Sequence, residues 1–187
     1  MNTIENIKER FGELQSKNRD GQLAIVRQNA FDAFNKWGVP TSKHEEWKYT
    51  RIGGLFNKEF DIARHVTLGA GDIAGFRLPG HEEANELVFI NGAYTPALSV
   101  VRSKELDVLS LQDAAADKRF EGIVSKNLGQ SGRYVKDGIH ALNTAFMEEG
   151  IFVHVKKGKT AEHPVYIYNI TDARTANILS QPRSLFH

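Results

Sequence analysis

Apolar residues recur first at helical spacing along this chain and later at alternate positions. Ile4, Ile7, Phe11 and Leu14 stand three and four residues apart with Glu5, Lys8, Glu9 and Arg10 between them, which predicts an amphipathic helix. Asn18-Arg19-Asp20-Gly21 breaks it. A second helix is predicted over 22–37, with Val26, Ala30, Ala33, Phe34 and Trp37 as its inward face and Gly38 as its stop signal. The simplest arrangement packs the two stripes on each other. Ser42 and Glu45 have the S-x-x-E spacing of a capping box, so a third, short helix is expected to start there.

Leu87-Val88-Phe89-Ile90 and Ala93-Tyr94-Thr95 flank Asn91-Gly92. Those two residues tolerate positive φ and predict a hairpin closed by a type I′ turn, with Pro96 discouraging the second strand from continuing. Residues 110–117 and 137–149 read as helices, the second turning Ile139, Leu142, Ala145 and Phe146 inward and ending at Gly150. Gly129-Gln130-Ser131-Gly132 marks a loop between them.

Beyond Gly150 the period changes to two: Ile151, Val153 and Val155 point one way, Phe152 and His154 the other. Strand-like runs follow at Pro164-Val165-Tyr166-Ile167-Tyr168-Asn169-Ile170, at Ala176-Asn177-Ile178-Leu179 and at Ser184-Leu185-Phe186. The pattern predicts an α+β chain: a mixed, mainly helical domain with a β-hairpin over 1–149, then the first rungs of a stacked β domain over 150–187. Stacked repeats bury their core only against neighbours. The array is therefore expected to continue beyond His187, and its open β edge to self-associate or to be poorly ordered.

Composition narrows the function classes. The 187 residues carry 24 Lys and Arg against 23 Asp and Glu, a formal charge of +1, so no nucleic-acid or membrane partner is expected. The one dense basic cluster, Lys156-Lys157-Gly158-Lys159, is expected in a solvated turn. With no cysteine the chain has no disulfide, thiol nucleophile or thiolate metal ligand, and cannot hold a conventional iron-sulfur cluster on its own residues. The first ten residues lack an apolar h-region and no apolar run is long enough to span a bilayer, which reads as a soluble cytoplasmic protein.

Several motifs fail on inspection. Gly69-Ala70-Gly71-Asp72-Ile73-Ala74 fits a dinucleotide fingerprint only if a helix starts at the glycines, and Gly75, Pro79 and Gly80 cut such a helix short. Gly158-Lys159-Thr160 ends like a phosphate-binding loop, but Val153 stands where the first glycine belongs. Gly129-Gln130-Ser131-Gly132-Arg133 lacks the last glycine of a nucleophile elbow. His44 and His81 stand beside carboxylates without a second histidine four residues away, and His154 is expected on the outer face of a strand. Trp47 and Tyr49 are expected one in the core and one at its rim. No catalytic, cofactor-binding or metal residue is assigned, and the chain does not read as an enzyme.

Pro40-Thr41-Ser42-Lys43-His44-Glu45-Glu46-Trp47-Lys48-Tyr49-Thr50 resembles the amino-terminal signature of SufD, within the SufB/SufD family of iron-sulfur cluster assembly proteins. Three further segments look similar in the same order: Val88-Phe89-Ile90-Asn91-Gly92-Ala93-Tyr94-Thr95-Pro96-Ala97-Leu98-Ser99, His140-Ala141-Leu142-Asn143-Thr144-Ala145-Phe146, and residues 150–185. The resemblance implies a helical amino-terminal domain leading into a right-handed parallel β-helix, in an amino-terminal portion of a longer chain. It also implies a non-catalytic scaffold pairing with SufB-like and SufC-like subunits, the second an ABC-type ATPase. The iron-sulfur cluster and ATP then belong to the wider SufBCD complex and not to these residues. A sugar- or peptide-binding module on a short β solenoid, using Trp47, Tyr49, Tyr166 and Tyr168, is the alternative reading.

Overall fold

A computed structural model describes residues 3–17, 21–61, 68–147 and 150–187. In chain order these form α1 (Thr3–Lys17), α2 (Gln22–Trp37), α3 (Ala70–Ile73), β1 (Asn85–Ile90), β2 (Ala93–Tyr94), β3 (Leu106–Ser110), α4 (Leu111–Ala116), α5 (Glu121–Asn127), α6 (Gly138–Ala145), β4 (Ile151–Val155), β5 (Val165–Ile170) and β6 (Ser184–Phe186). Helices and sheets are mixed as expected. The chain divides into two units, residues 1–62 with 125–147 and residues 63–124 with 148–187.

In the first unit, α1 buries Ile7, Phe11 and Leu14 as its spacing predicts. Phe11 stacks on Phe31 of α2, ring centroids 3.8 Å apart and planes 12° from parallel, and meets Phe146 edge-on at 5.9 Å. Such pairs add about 0.5–1.5 kcal/mol to the burial of the rings themselves. The face of α2 that does this overlaps the predicted one only at Phe34. Ala24, Arg27, Phe31 and Phe34 are buried, whereas Val26, Ala30 and Ala33 are half-buried and Trp37 is exposed. The helix carries two interleaved stripes at helical period, 24/27/31/34, in which Arg27 stands among apolar residues, and 26/30/33/37, which is apolar throughout. Periodicity does not choose between them; the stacking of Phe31 on Phe11 does.

The helix expected from Ser42 shrinks to one 3₁₀ turn over Glu45–Trp47, with His44 at its cap position and no side-chain cap. The local side-chain bonds are made by Thr41 and His44 instead: the Thr41 amide donates to His44 Nδ1 at 3.0 Å and the Lys43 amide to Thr41 Oγ1 at 3.3 Å. α6 starts where expected, because Asp137 Oδ1 accepts from the His140 amide at 2.8 Å. It ends at Ala145, short of the predicted 149, and residues 148–149 lie outside the described residues. α5, a seven-residue helix with Gly122 in its first turn, is not among the predicted elements.

The second unit holds two three-stranded sheets, ordered β2-β1-β5 and β3-β4-β6. The hairpin forms as predicted: Phe89 pairs with Tyr94 and Ile90 with Ala93, and Asn91 and Gly92 take φ of 52° and 85°. β1 is buried along its whole length. Leu87 and Phe89 join Leu106, Ile151 and Val153 in one cluster, while Val88 and Ile90 pack with Ile73 and Tyr168 in another. β1 pairs with β5 in parallel, Asn85 opposite Val165 through Ile90 opposite Ile170, and β4 pairs with β6 in parallel.

Three expectations for the β region change. Residues 176–179 do not form a strand; only Ile178 makes an isolated bridge. Phe152, expected on an outer face, is fully buried because Phe120 covers it at 5.0 Å. Nor do the carboxyl-terminal strands stack on one another in sequence: β5 takes its partner from β1, and among the described residues the sheets are small and not solenoid-like. The basic cluster does sit in a tight turn, the Lys159 amide donating to Lys156 O at 2.9 Å with Gly158 at φ 71°.

Candidate functional site

The stripe of α2 left out of the core lines a cleft of about 320 Å³ within the first unit. Val26, Ala30, Ala33 and Trp37 form one wall, His140, Ala141 and Thr144 of α6 the other, and the loop from Gly129 to Lys136 closes one end. α6 comes this close to α2 because Gly138 packs against the backbone of Gly38: a Cβ there would lie 1.8 Å from Gly38 O. The loop is held by Ser131 Oγ, 2.8 Å from His140 Nε2, and by Lys136 Nζ, which donates to Gly132 O at 3.1 Å. The cleft is thus formed by packed or tethered elements.

Ser131 and His140 make a nucleophile–base contact that the failed elbow motif did not suggest. Asp137, three residues before His140, would be the natural orienting acid, but its Oδ1 accepts from the His140 backbone and serves as the helix cap. Ser131 is exposed, and the Gly132 amide is spent on Gly129 O at 3.2 Å instead of facing a substrate oxygen. The pair fits a tether better than an acyl-transfer centre. The signal that could have found the cleft is the second apolar stripe of α2, one more than a helix with a single packing partner needs.

The second unit carries a buried carboxylate. Glu86 projects from β1 with its side chain 2% exposed, its Oε2 3.4 Å from Arg77 Nε and 3.7 Å from His81 Nδ1. His81 also approaches Glu82 at 3.3 Å. Next to it on β1, the buried amide of Asn85 donates to Ser103 Oγ at 3.1 Å and His163 O at 2.9 Å, while its Oδ1 accepts from the amides of Arg102 and Ser103. This network ties three loop segments to the strand.

The other sequence candidates disperse. His44 is engaged by Thr41. His154 shares the covered face of β4 with Phe152 and is half-buried between the rings of Phe120 and His187, with its Nδ1 3.2 Å from His187 Nδ1. The glycines of 69–74 lead only into four-residue α3, where Asp72 Oδ2 accepts from the Gly69 amide at 2.8 Å. Trp47 is half-buried and Tyr49 exposed. Tyr166 donates to Pro79 O and Tyr168 accepts from the Leu78 amide, so both hydroxyls bind backbone. Among the described residues no group of three or more metal-ligating side chains could hold an ion, and no helix is long and apolar enough to cross a membrane.

Comparison with known proteins accounts for the resemblance. Residues 6–167 match the SufBD protein N-terminal region. The chain is 30% identical over 175 residues to an iron-sulfur cluster assembly SufBD family protein of Synechocystis, covering 91% of this chain and 37% of that protein. It is 31% identical over 140 residues to the iron-sulfur cluster assembly protein SufD of Escherichia coli, covering 72% of this chain and 28% of that protein. It therefore spans about a third of the length of these relatives. The matched region runs from α1 into β5 and includes the four collinear segments up to Ile167, and on that ground the chain belongs to the SufB/SufD family.

Proposed function

We propose that this chain supplies the amino-terminal part of a non-catalytic scaffold subunit of the iron-sulfur cluster assembly machinery in the cytoplasm. The observation that carries the reading is the family match over residues 6–167. In the whole protein the subunit would pair with a SufB-like subunit and a SufC-like ATPase, whose hydrolysis of ATP would rearrange the pair on which a cluster forms. The cluster is cargo of the complex, and its thiolate ligands would come from elsewhere, since this chain has no cysteine.

The β strands support a continuation as a right-handed parallel β-helix. β4, β5 and β6 alternate between the two sheets, and both pairings between an earlier strand and a strand after residue 160 are parallel. A chain winding in one direction through two sheets produces that pattern. β5 and β6 lie at sheet edges, where a further coil, or a second copy of the chain, would add strands.

Co-expression of the full-length protein with its cognate SufB and SufC tests the reading. A complex that survives size-exclusion chromatography is expected. A protein that elutes alone in the presence of both partners would sink it.

A further inference from the structure

We propose that the cleft between α2 and α6 is a docking site for an acidic peptide segment of a partner protein, which inserts an apolar side chain between Trp37 and Ala141 and sets a carboxylate against Arg133. This goes beyond the scaffold reading and concerns a surface within the first unit only.

Three observations carry it. The cleft wall on α2 is a full helical stripe of apolar residues, yet Trp37 is 41% exposed, and the adjoining Val135 and Tyr134 are 41% and 84% exposed. A contiguous apolar surface of this kind, with Trp, Tyr and Arg at its edge, has the composition of a protein-binding hot spot. The charge around it is one-sided. Arg133 and Lys136 face one carboxylate, Asp137, and that carboxylate already caps α6; Lys36 adds a third cation over the Trp37 ring at 5.2 Å. Arg133 makes no ion pair among the described residues, so its guanidinium is available to an incoming carboxylate. Finally, about 320 Å³ lies at the small end of ligand pockets. It accommodates a side chain or two, and the exposed apolar rim continues past it, as an extended peptide requires.

The walls are ordered before binding. Gly138 locks α6 on Gly38, and the Ser131–His140 contact holds the loop that carries Arg133. Little ordering cost then falls on association.

A phage-displayed library of short random peptides, selected on the full-length protein in parallel with its Ala33→Gln and Arg133→Glu variants, tests the proposal. Ala33→Gln fills the cleft without charge, and both sites are solvent-accessible helix or loop positions; circular dichroism and the thermal midpoint confirm that each variant folds. Enrichment of sequences combining Asp or Glu with Leu, Ile or Phe is expected on the parent protein. Synthetic versions should bind at least about tenfold more weakly to each variant by fluorescence anisotropy, and their binding should weaken with added salt. Enrichment of basic or uncharged sequences, equal binding to the parent and Ala33→Gln proteins, or no enrichment would each overturn the proposal.

Discussion

Gly138 and Gly38 meet backbone to backbone, with no room for a single carbon between them: a Cβ on Gly138 would stand 1.8 Å from Gly38 O and 2.7 Å from its carbonyl carbon. The amino terminus of α6 is thereby pressed on the end of α2, and the width of the cleft between the two helices is set at this contact. Gly138→Ala must move one helix away from the other. Overpacking of this kind costs about 1–3 kcal/mol, and urea unfolding should show a midpoint lowered accordingly. An unchanged midpoint would mean that α6 is not seated on Gly38.

The hairpin makes a sharper demand. Gly92 combines φ of 85° with a Cβ position 2.8 Å from the Gln181 backbone nitrogen, so Gly92→Ala meets both a left-handed backbone and a collision. Left-handed geometry alone costs an L-residue roughly 1–2 kcal/mol. Asn91→Gly keeps the turn type and meets no collision, losing the Asn91 Oδ1 acceptor of the Asp172 amide, and should cost less. If thermal melts rank the two variants the other way, the turn is not the one described.

Glu86 is buried on β1 beside Arg77 and His81. Removing the guanidinium with Arg77→Met should destabilise by about 1–3 kcal/mol, since the buried carboxylate keeps only His81 beside it. Arg77→Met combined with Glu86→Leu should recover most of that loss. A double variant no more stable than Arg77→Met alone would show that the pair is not coupled.

Tyr94 ionises above the ordinary tyrosine range, because burial penalises its phenolate and a hydrogen bond with Ser99 only partly offsets this. The sign follows: a phenol whose folded pKa is raised contributes its full stability below the unfolded value near 10, and that contribution is lost as pH rises through the folded value. Stability should therefore fall in the alkaline range, and Tyr94→Phe should flatten the fall. Denaturant midpoints measured across that range decide it; identical slopes for both proteins would refute the assignment.

The core of the first unit offers a direct measure of packing. Phe31→Ala removes the ring stacked on Phe11 and should cost about 3–5 kcal/mol. Val26→Ala, on the rejected stripe, should cost under about 1 kcal/mol. Comparable losses for both would restore the face that periodicity first suggested.

What was legible from sequence were features with a local cause. The extent of α2, the two-residue turn at Asn91-Gly92, the Asp137 start of α6 and the strands at 151–155 and 165–170 each follow from backbone preference, capping or side-chain period over a few residues. Motif failures were legible too, because a missing glycine or histidine is a local fact. Ser42 and Glu45 had the right spacing for a capping box, but the 3₁₀ turn begins after His44 and takes no side-chain cap. Ser131 and His140, nine residues apart, had no motif to join them.

Sequence by itself determined α1, α2, the start of α6, the hairpin and the strands at 151–155 and 165–170, the absence of thiol chemistry and the likeness to the SufB/SufD family. Tertiary structure decided which of two stripes on α2 is core and which lines a cleft, that β5 pairs with β1 and not with its chain neighbours, and that Glu86 lies buried beside Arg77. The physical reason is common to all three. Period specifies that a face must be covered, but the covering surface, whether the Phe11 ring, the edge of β1 or the Arg77 side chain, is brought there by distant parts of the chain.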